Sequence, residues 1–501
     1  MATEAMTATA EVDRSPIPVH LHIGERVLDR GTGGTFQRHD PVTGQVHAEI
    51  PLAGAADVDA AVRAAHEAYL SWRRVPATEK RRLLLRLADL FEENQAEFGR
   101  TVTLDCAMPY MPVVPMVSDW IRYYAGWADK LTSEVVASPM AGGEFSYTLG
   151  QPYGVVGVIL TWNGPIGSIG MKVPAALAAG NTVVIKPPEV GPFGAEVFAR
   201  IVKEAGFPPG VVNILPGAAE AGQALVDHPL VKKVTFTGGT ATGQRILQSC
   251  ATSMKPAVLE LGGKSANLVF EDADLDITCP HAAMMSVGFL SGQGCTFPTR
   301  LLVQRPIYDE VIERVAAVAK SFPIGDPWTP GNVVGPVINA AAVDRILATI
   351  EQAKNDGARL VTGGNRVGGE LATGYYIEPT IFADVDPSSH LAQHEVFGPV
   401  LAVTPFDTEE EAIAIANGTA YGLAAYISTR DVARAHRVAD ELVAGEILVN
   451  GSQNLLVNRP FGGFGLSGMG KEGGRRGIEE FLRLKGVGMK VGNGGAFSFL
   501  A

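Results

Sequence analysis

The sequence predicts an α/β protein in which a parallel, doubly wound sheet is followed by a second α/β unit, and three observations carry that prediction. Apolar runs at Val155–Leu160, Thr182–Ile185, Val211–Leu215 and Lys233–Phe236 alternate with helical stretches through Ala251, which is how strands buried on both faces read. A second alternation runs from Ala266 to Leu448, through Arg300–Val303, Ile307–Phe322, Ala341–Gly357, Glu409–Asn417 and Asp431–Leu442. The chain also has 501 residues, too many for one ordinary core at roughly 150 residues per domain.

Taken in order, Val19–Ile23 and Val46–Ile50 alternate like short strands and are expected to form a hairpin about the turn Asp40–Gly44. Apolar residues at helical spacing predict two antiparallel helices over Ala55–Arg73 and Thr78–Gly99, the latter with a Leu83, Leu84, Leu87, Leu90, Phe91 stripe. Met108–Pro115 interrupts the helical pattern before it resumes through Trp127. Glu144–Gly150 alternates as a strand that leaves its domain, with Val487–Val491 as its expected mate. A protruding edge of that kind needs a partner, so a homodimer or homotetramer is expected.

Composition narrows the function. With 46% hydrophobic and 19% charged residues the chain reads as globular, and a formal charge of −12 excludes a general attraction to nucleic acid or anionic membrane. No apolar stretch approaches the ~20 residues of a membrane span. Cys106, Cys250, Cys279 and Cys295 are too sparse for a disulfide framework and show no ligand spacing, so no metal is expected. Met1–Ser15 has no apolar signal core and reads as a frayed tail, giving a cytoplasmic expectation.

Several residues carry chemistry. Val183–Ile185 ends in Lys186-Pro187-Pro188-Glu189, placing a cation and a carboxylate beyond a strand where a ribose would bind. Phe236 is followed by Thr237-Gly238-Gly239 and, four residues on, Gly243, so the amides of a helix start could face a pyrophosphate, although such glycines also make plain tight turns. Glu260 stands alone in the apolar strand Ala257–Leu261, where burial would raise its pKa and suit it to act as a base. Cys295 lies behind Gly292-Gln293-Gly294. It is a candidate nucleophile, with a small buried apolar thiol as the plain alternative.

Together these segments resemble the NAD(P)-dependent aldehyde dehydrogenase superfamily over nearly the whole chain. The resemblance rests on Trp162-Asn163-Gly164-Pro165, Lys186-Pro187-Pro188-Glu189, Phe236-Thr237-Gly238, Leu259-Glu260-Leu261-Gly262-Gly263-Lys264, Gly292-Gln293-Gly294-Cys295, Glu395-Val396-Phe397-Gly398-Pro399 and Pro460-Phe461-Gly462-Gly463, in the family's order. It implies a Rossmann-type cofactor domain (1–130 and 152–258), an α/β catalytic domain (259–465) and a β oligomerisation element (131–151 and 482–501).

It further implies that Cys295 attacks an aldehyde, Asn163 holds the oxyanion and Glu260 activates the hydrolytic water. Cofactor contacts would come from Thr161, Trp162, Lys186, Pro188, Glu189, Gly238, Gly239, Gly243, Leu261, Glu395 and Phe397. NAD is expected over NADP, because the Glu189 carboxylate would repel a 2′-phosphate. The substrate pocket is expected at Gly164, Ser168, Met171, Phe289, Leu290, Phe297 and Phe461, apolar and without a cation, favouring a bulky apolar or aromatic aldehyde. A semialdehyde substrate and acyl transfer to coenzyme A are the alternatives, and Glu260 weighs against the second. Leu290 departs from a common Asn, and Gly239 from a Ser that commonly adds a phosphate contact.

Overall fold

The computed structural model describes residues 12–136, 144–452 and 455–490. Among these residues, five parallel strands form the middle of the first sheet, in the spatial order Val212–Ile214, Thr182–Lys186, Val155–Ile159, Val231–Thr237, Ala257–Glu260. By position along the chain that order is 3-2-1-4-5, the doubly wound arrangement in which strand order reverses beside the first strand. Side-chain alternation divides the core. Val156, Val158 and Val183 pack with helices Ala77–Glu93, Pro115–Ala125, Pro165–Ala178 and Phe193–Glu204. Val155, Ile159 and Val184 point the other way, onto Ala55–Trp72, Ala219–Asp227 and Thr240–Ala251. Each fully buried Val or Leu contributes about 1.5–3 kcal/mol to holding these layers.

The second sheet has seven strands in the order Arg359–Thr362, Thr380–Ala383, Val400–Phe406, Arg300–Gln304, Ala266–Val269, Ala424–Ser428, Glu446–Val449, parallel except at the first. A third, smaller sheet pairs Glu144–Pro152 with Leu482–Lys490 along their whole lengths and adds Val135–Val136 at its edge. Val487 sits opposite Tyr147, the pairing expected from sequence, while Val491 and the Gly-rich tail Gly492–Ala501 lie outside the described residues. No described helix is long and apolar enough to cross a membrane.

Three expectations are corrected. Leu21–Ile23 pairs with Arg26–Leu28 and Val212–Ile214 at the edge of the first sheet, and the hairpin partner of Val46–Pro51 is Thr35–His39. The turn Asp40–Gly44 was correctly placed, but its first strand, polar and only partly buried, showed no apolar alternation to read. The helix expected over Thr78–Gly99 breaks at Asn94, whose side chain donates to the Leu90 carbonyl, and a separate helix Gln95–Cys106 follows. Of the expected frayed tail Met1–Ser15, residues 1–11 lie outside the described residues, while Arg100 pairs with Asp13 at 3.0 Å and Arg14 with Asp326 at 2.6 Å.

The edge strand Gly468–Met469 returns from late in the chain to the first sheet, where Gly468 pairs with Glu260 and Met469 with Leu259. It places the strand bearing Glu260 inside the sheet instead of at its border.

Candidate active site

At the carboxyl ends of the parallel strands lies a cavity of about 530 Å³. Its walls hold Asn163, Glu260 and Cys295 together with Lys186, Glu189, Gly238, Gly239, Leu261, Glu395 and Phe397. A thiol from the second α/β unit and a carboxylate from the first sheet therefore share one space, at the switch point where doubly wound sheets take nucleotides.

Cys295 owes its position to an irregular segment. A π-helical turn, Met284–Gly288, gives way to the tight turn Phe289–Gly292, in which Leu290, Ser291 and Gly292 all take left-handed backbone at φ 49°, 50° and 71°. Gly292 is required there twice over, since a side chain would also meet the Gly398 backbone. Gln293 braces the segment: its amide donates to the Leu290 carbonyl at 2.9 Å and accepts from Ile338 N–H at 3.0 Å. Cys295 itself is half-buried. Burial, with the Glu395 and Glu260 carboxylates, pushes its thiol up to about 12.

Asn163 points its amide at the same segment. Nδ2 donates to the Gln293 carbonyl at 2.8 Å, leaving its second hydrogen for another acceptor, while Thr161 Oγ1 donates to Asn163 Oδ1 at 2.7 Å. Thr161 thus lines the cavity and also fixes the orientation of Asn163, a task its place in the sequence did not reveal.

Glu260 is 2% exposed, and neither of its oxygens has a hydrogen-bond partner among the described residues. Burial above all, then the Glu472 carboxylate, raises its pKa well above the ordinary value, against the pull of Lys172 and Lys471. Lys172 and Glu472 form a buried ion pair beside it. Sequence reading missed that pair, although a lysine inside the apolar helix Pro165–Ala178 carried the same signal as a glutamate inside an apolar strand. Glycines 262 and 263 let the following loop thread between neighbours, since a side chain on Gly262 would strike the Glu395 carboxylate and one on Gly263 the Cys295 carbonyl. Glu395 accepts from Gly263 N–H at 3.0 Å, and burial raises its carboxyl to about 7.

The cofactor expectation can be tested on these groups. Lys186 Nζ donates to the Gly217 carbonyl at 2.7 Å, with burial lowering its pKa to about 8, and Glu189 stands half-buried on the cavity wall. Helix Thr240–Ala251 begins at Gly239 with no side-chain cap, and the space where a Gly239 Cβ would stand is open, so its first amides are available to a phosphate. Trp162 and Phe397 meet edge-to-face at 5.4 Å between ring centres on the same cavity. Carboxylate, uncapped amides and aromatic wall fit a dinucleotide.

Other expected residues stand elsewhere. Pro188 and Gly243 do not line the cavity; Gly243 lies under Leu261, whose side chain leaves no room for a Cβ. None of Gly164, Ser168, Met171, Phe289, Leu290, Phe297 and Phe461 lines it either. Met171 and Phe461 belong to the apolar cluster against which Cys295 packs. Phe289 and Phe297 stack obliquely at 5.9 Å beside the nucleophile segment, and Gly164 has open space where a Cβ would be.

Comparison with known proteins agrees with this geometry. The aldehyde dehydrogenase family model matches residues 28–487. The chain is 41% identical to an aldehyde dehydrogenase of Enchytraeus buchholzi, covering 93% of this chain and 95% of the relative. It is 40% identical to aldehyde dehydrogenase 1A1 of Gallus gallus, covering 94% and 93%. PnpE from Pseudomonas sp. WBC-3, solved in complex with nicotinamide adenine dinucleotide, superposes with a TM-score of 0.91 at 39% identity, over 95% of this chain and 98% of that one. The fold is that of these enzymes, and the chain belongs to the aldehyde dehydrogenase family.

Proposed function

We propose that the chain oxidises a bulky apolar or aromatic aldehyde to its carboxylic acid with NAD, through a thioester on Cys295. The observation that carries this reading is the single cavity shared by Cys295, Asn163, Glu260 and the groups suited to a dinucleotide. The Cys295 thiol passes its proton to the ionised Glu260 carboxylate, which shares the cavity and hands the proton on to solvent. The sulfur then attacks the aldehyde carbon, and the oxyanion of the thiohemiacetal accepts from the free Asn163 amide hydrogen and the Cys295 backbone N–H. A dinucleotide held in this cavity would supply the hydride acceptor for this carbon. Glu260, ionised again, takes a proton from water as that water attacks the thioester; the C–S bond breaks with its electron pair on sulfur, and the departing Cys295 thiolate takes that proton back from Glu260. Its raised pKa makes Glu260 a stronger base than an ordinary carboxylate.

Glu189 and Lys186 would hold the adenosine ribose, the Gly238-Gly239 amides the pyrophosphate, and Glu395 with Phe397 the nicotinamide end. The Glu189 carboxylate supports NAD over NADP by repulsion of a 2′-phosphate. Open space at Gly164 and the apolar cluster with Met171 and Phe461 support the bulky substrate. The boundaries 1–130 with 152–258, 259–465, and 131–151 with 482–501 serve as the working division of the chain. The small third sheet, with Val135 at 70% and Leu484 at 72% exposure, is the proposed contact of a homodimer or homotetramer. Its four free cysteines suit a reducing, cytoplasmic setting.

Initial rates of NAD and NADP reduction across an aldehyde panel test the proposal. Benzaldehyde-like aldehydes should exceed succinate semialdehyde in kcat/KM, with free acid as product whether or not coenzyme A is present. A higher value for the semialdehyde would overturn the substrate class, and an acyl-coenzyme A product would overturn the hydrolytic step.

A further inference from the structure

His20 and His22 bracket Leu21 at the start of the first sheet, and alternate residues of an extended segment face the same way. Opposite them stands Glu196, in the first turn of helix Phe193–Glu204. His20 Nδ1 lies 2.9 Å from Glu196 Oε1, and His22 Nε2 lies 3.0 Å from Oε2. The backbone N–H of His20 donates to Oε2 at 2.9 Å, fixing the carboxylate in place. Among the described residues this is the one group of three such side chains whose donor atoms all fall within 4.8 Å of one another. The side chains are 28%, 20% and 16% exposed, shielded yet reachable from solvent.

We propose that His20, His22 and Glu196 form a binding site for a zinc-like divalent cation, separate from the catalytic cavity. Zinc bonds to imidazole nitrogen and carboxylate oxygen are about 2.0–2.2 Å long, so neighbouring ligands around a tetrahedral ion stand about 3.3 Å apart. The two His–Glu separations, 2.9 and 3.0 Å to the two oxygens of one carboxylate, need to open by a few tenths of an ångström, and all three donor atoms already lie within 4.8 Å of one another, with water as a fourth ligand. With the Nδ1 lone pair of His20 on the cation, its proton sits on Nε2, which faces Asp29 Oδ1 at 3.6 Å. A carboxylate behind a ligating imidazole is the usual outer support of such a site. None of the three residues lines the catalytic cavity. The bound ion would therefore pin the segment 20–23 to helix Phe193–Glu204 and take no part in the chemistry. Sequence spacing hid the site, because Glu196 lies 174 positions from His22.

The test is zinc content of the full-length chain after chelator treatment, incubation with zinc chloride and gel filtration, against the double variant His20→Ala/His22→Ala. The wild type should retain one zinc per chain more than the variant and gain Tm with zinc, while the folded variant gains none. Equal zinc content in the two would overturn the site. Should the variant fail to fold, cobalt in the wild type decides. Visible bands of a tetrahedral nitrogen and oxygen site without sulfur charge transfer support the proposal, and a thiolate spectrum or no spectrum overturns it.

Discussion

Leu290 illustrates what one residue's backbone can reveal. Its φ of 49° lies in the left-handed region, where a branched side chain is strained by about 1–2 kcal/mol and Asn is at ease. The departure from the family's common Asn therefore has a physical cost, and Leu290→Asn should raise stability by about 1 kcal/mol, read as a higher Tm. Asn163→Ala removes one oxyanion donor and should lower kcat about 10²–10³-fold, measured in steady-state NAD reduction. Glu260 carries a stability prediction of definite sign. Its folded pKa is raised above the ordinary 4.5, so the fold favours the protonated form and loses that advantage as pH rises above 4.5. Glu260→Gln, which cannot ionise, should therefore gain Tm over the wild type at pH 8 and little at pH 4, while its kcat falls about 10²–10⁴-fold. The candidate nucleophile and base drew attention as single residues because a carboxylate in an apolar strand and a thiol among glycines are out of place. The supporting roles of Thr161 and Gln293 were not, because each acts through a partner far away in sequence.

At the scale of elements, the Lys172–Glu472 pair ties helix Pro165–Ala178 to the segment after Gly468–Met469, and both charges act on Glu260. Lys172 lowers the Glu260 pKa and Glu472 raises it. Since the base must be ionised, activity rises with pH through that pKa. Lys172→Met should move the rising limb of the kcat profile to higher pH and Glu472→Gln to lower pH, with each pH unit a tenfold change on the steep limb. Strands Val155–Ile159, Thr182–Lys186, Val231–Thr237 and Arg300–Gln304 were readable because they are buried along almost their whole lengths and so appear as apolar runs. Thr35–His39 was missed because it is half-exposed and polar, and the break at Asn94 because a side-chain hydrogen bond, not a change of apolar period, ends that helix. Of the expected substrate-side residues, Met171 and Phe461 share an apolar cluster with Cys295, and none of the seven lines the cavity that holds the dinucleotide-suited groups.

At the scale of the whole molecule, the third sheet exposes Val135 and Leu484, and Leu484→Asp should reduce the mass measured by light scattering if that face joins subunits. The more general lesson comes from Gly468–Met469 closing the sheet beside Glu260. Gly462 also lies against the Glu260 carboxylate, and Lys471 donates to the Gly462 carbonyl. The base is thus enclosed by residues made some two hundred positions after it. Because a chain emerges amino end first and its early portions begin folding before the rest arrives, a ribosome would release a nearly complete enzyme before its acid group had acquired the surroundings that tune it. Premature termination between Cys295 and these late residues should leave both the thiol and the carboxylate in the chain but strip the carboxylate of its enclosure, and a protease that trims the chain upstream of Gly462 should cost activity while sparing most of the bulk.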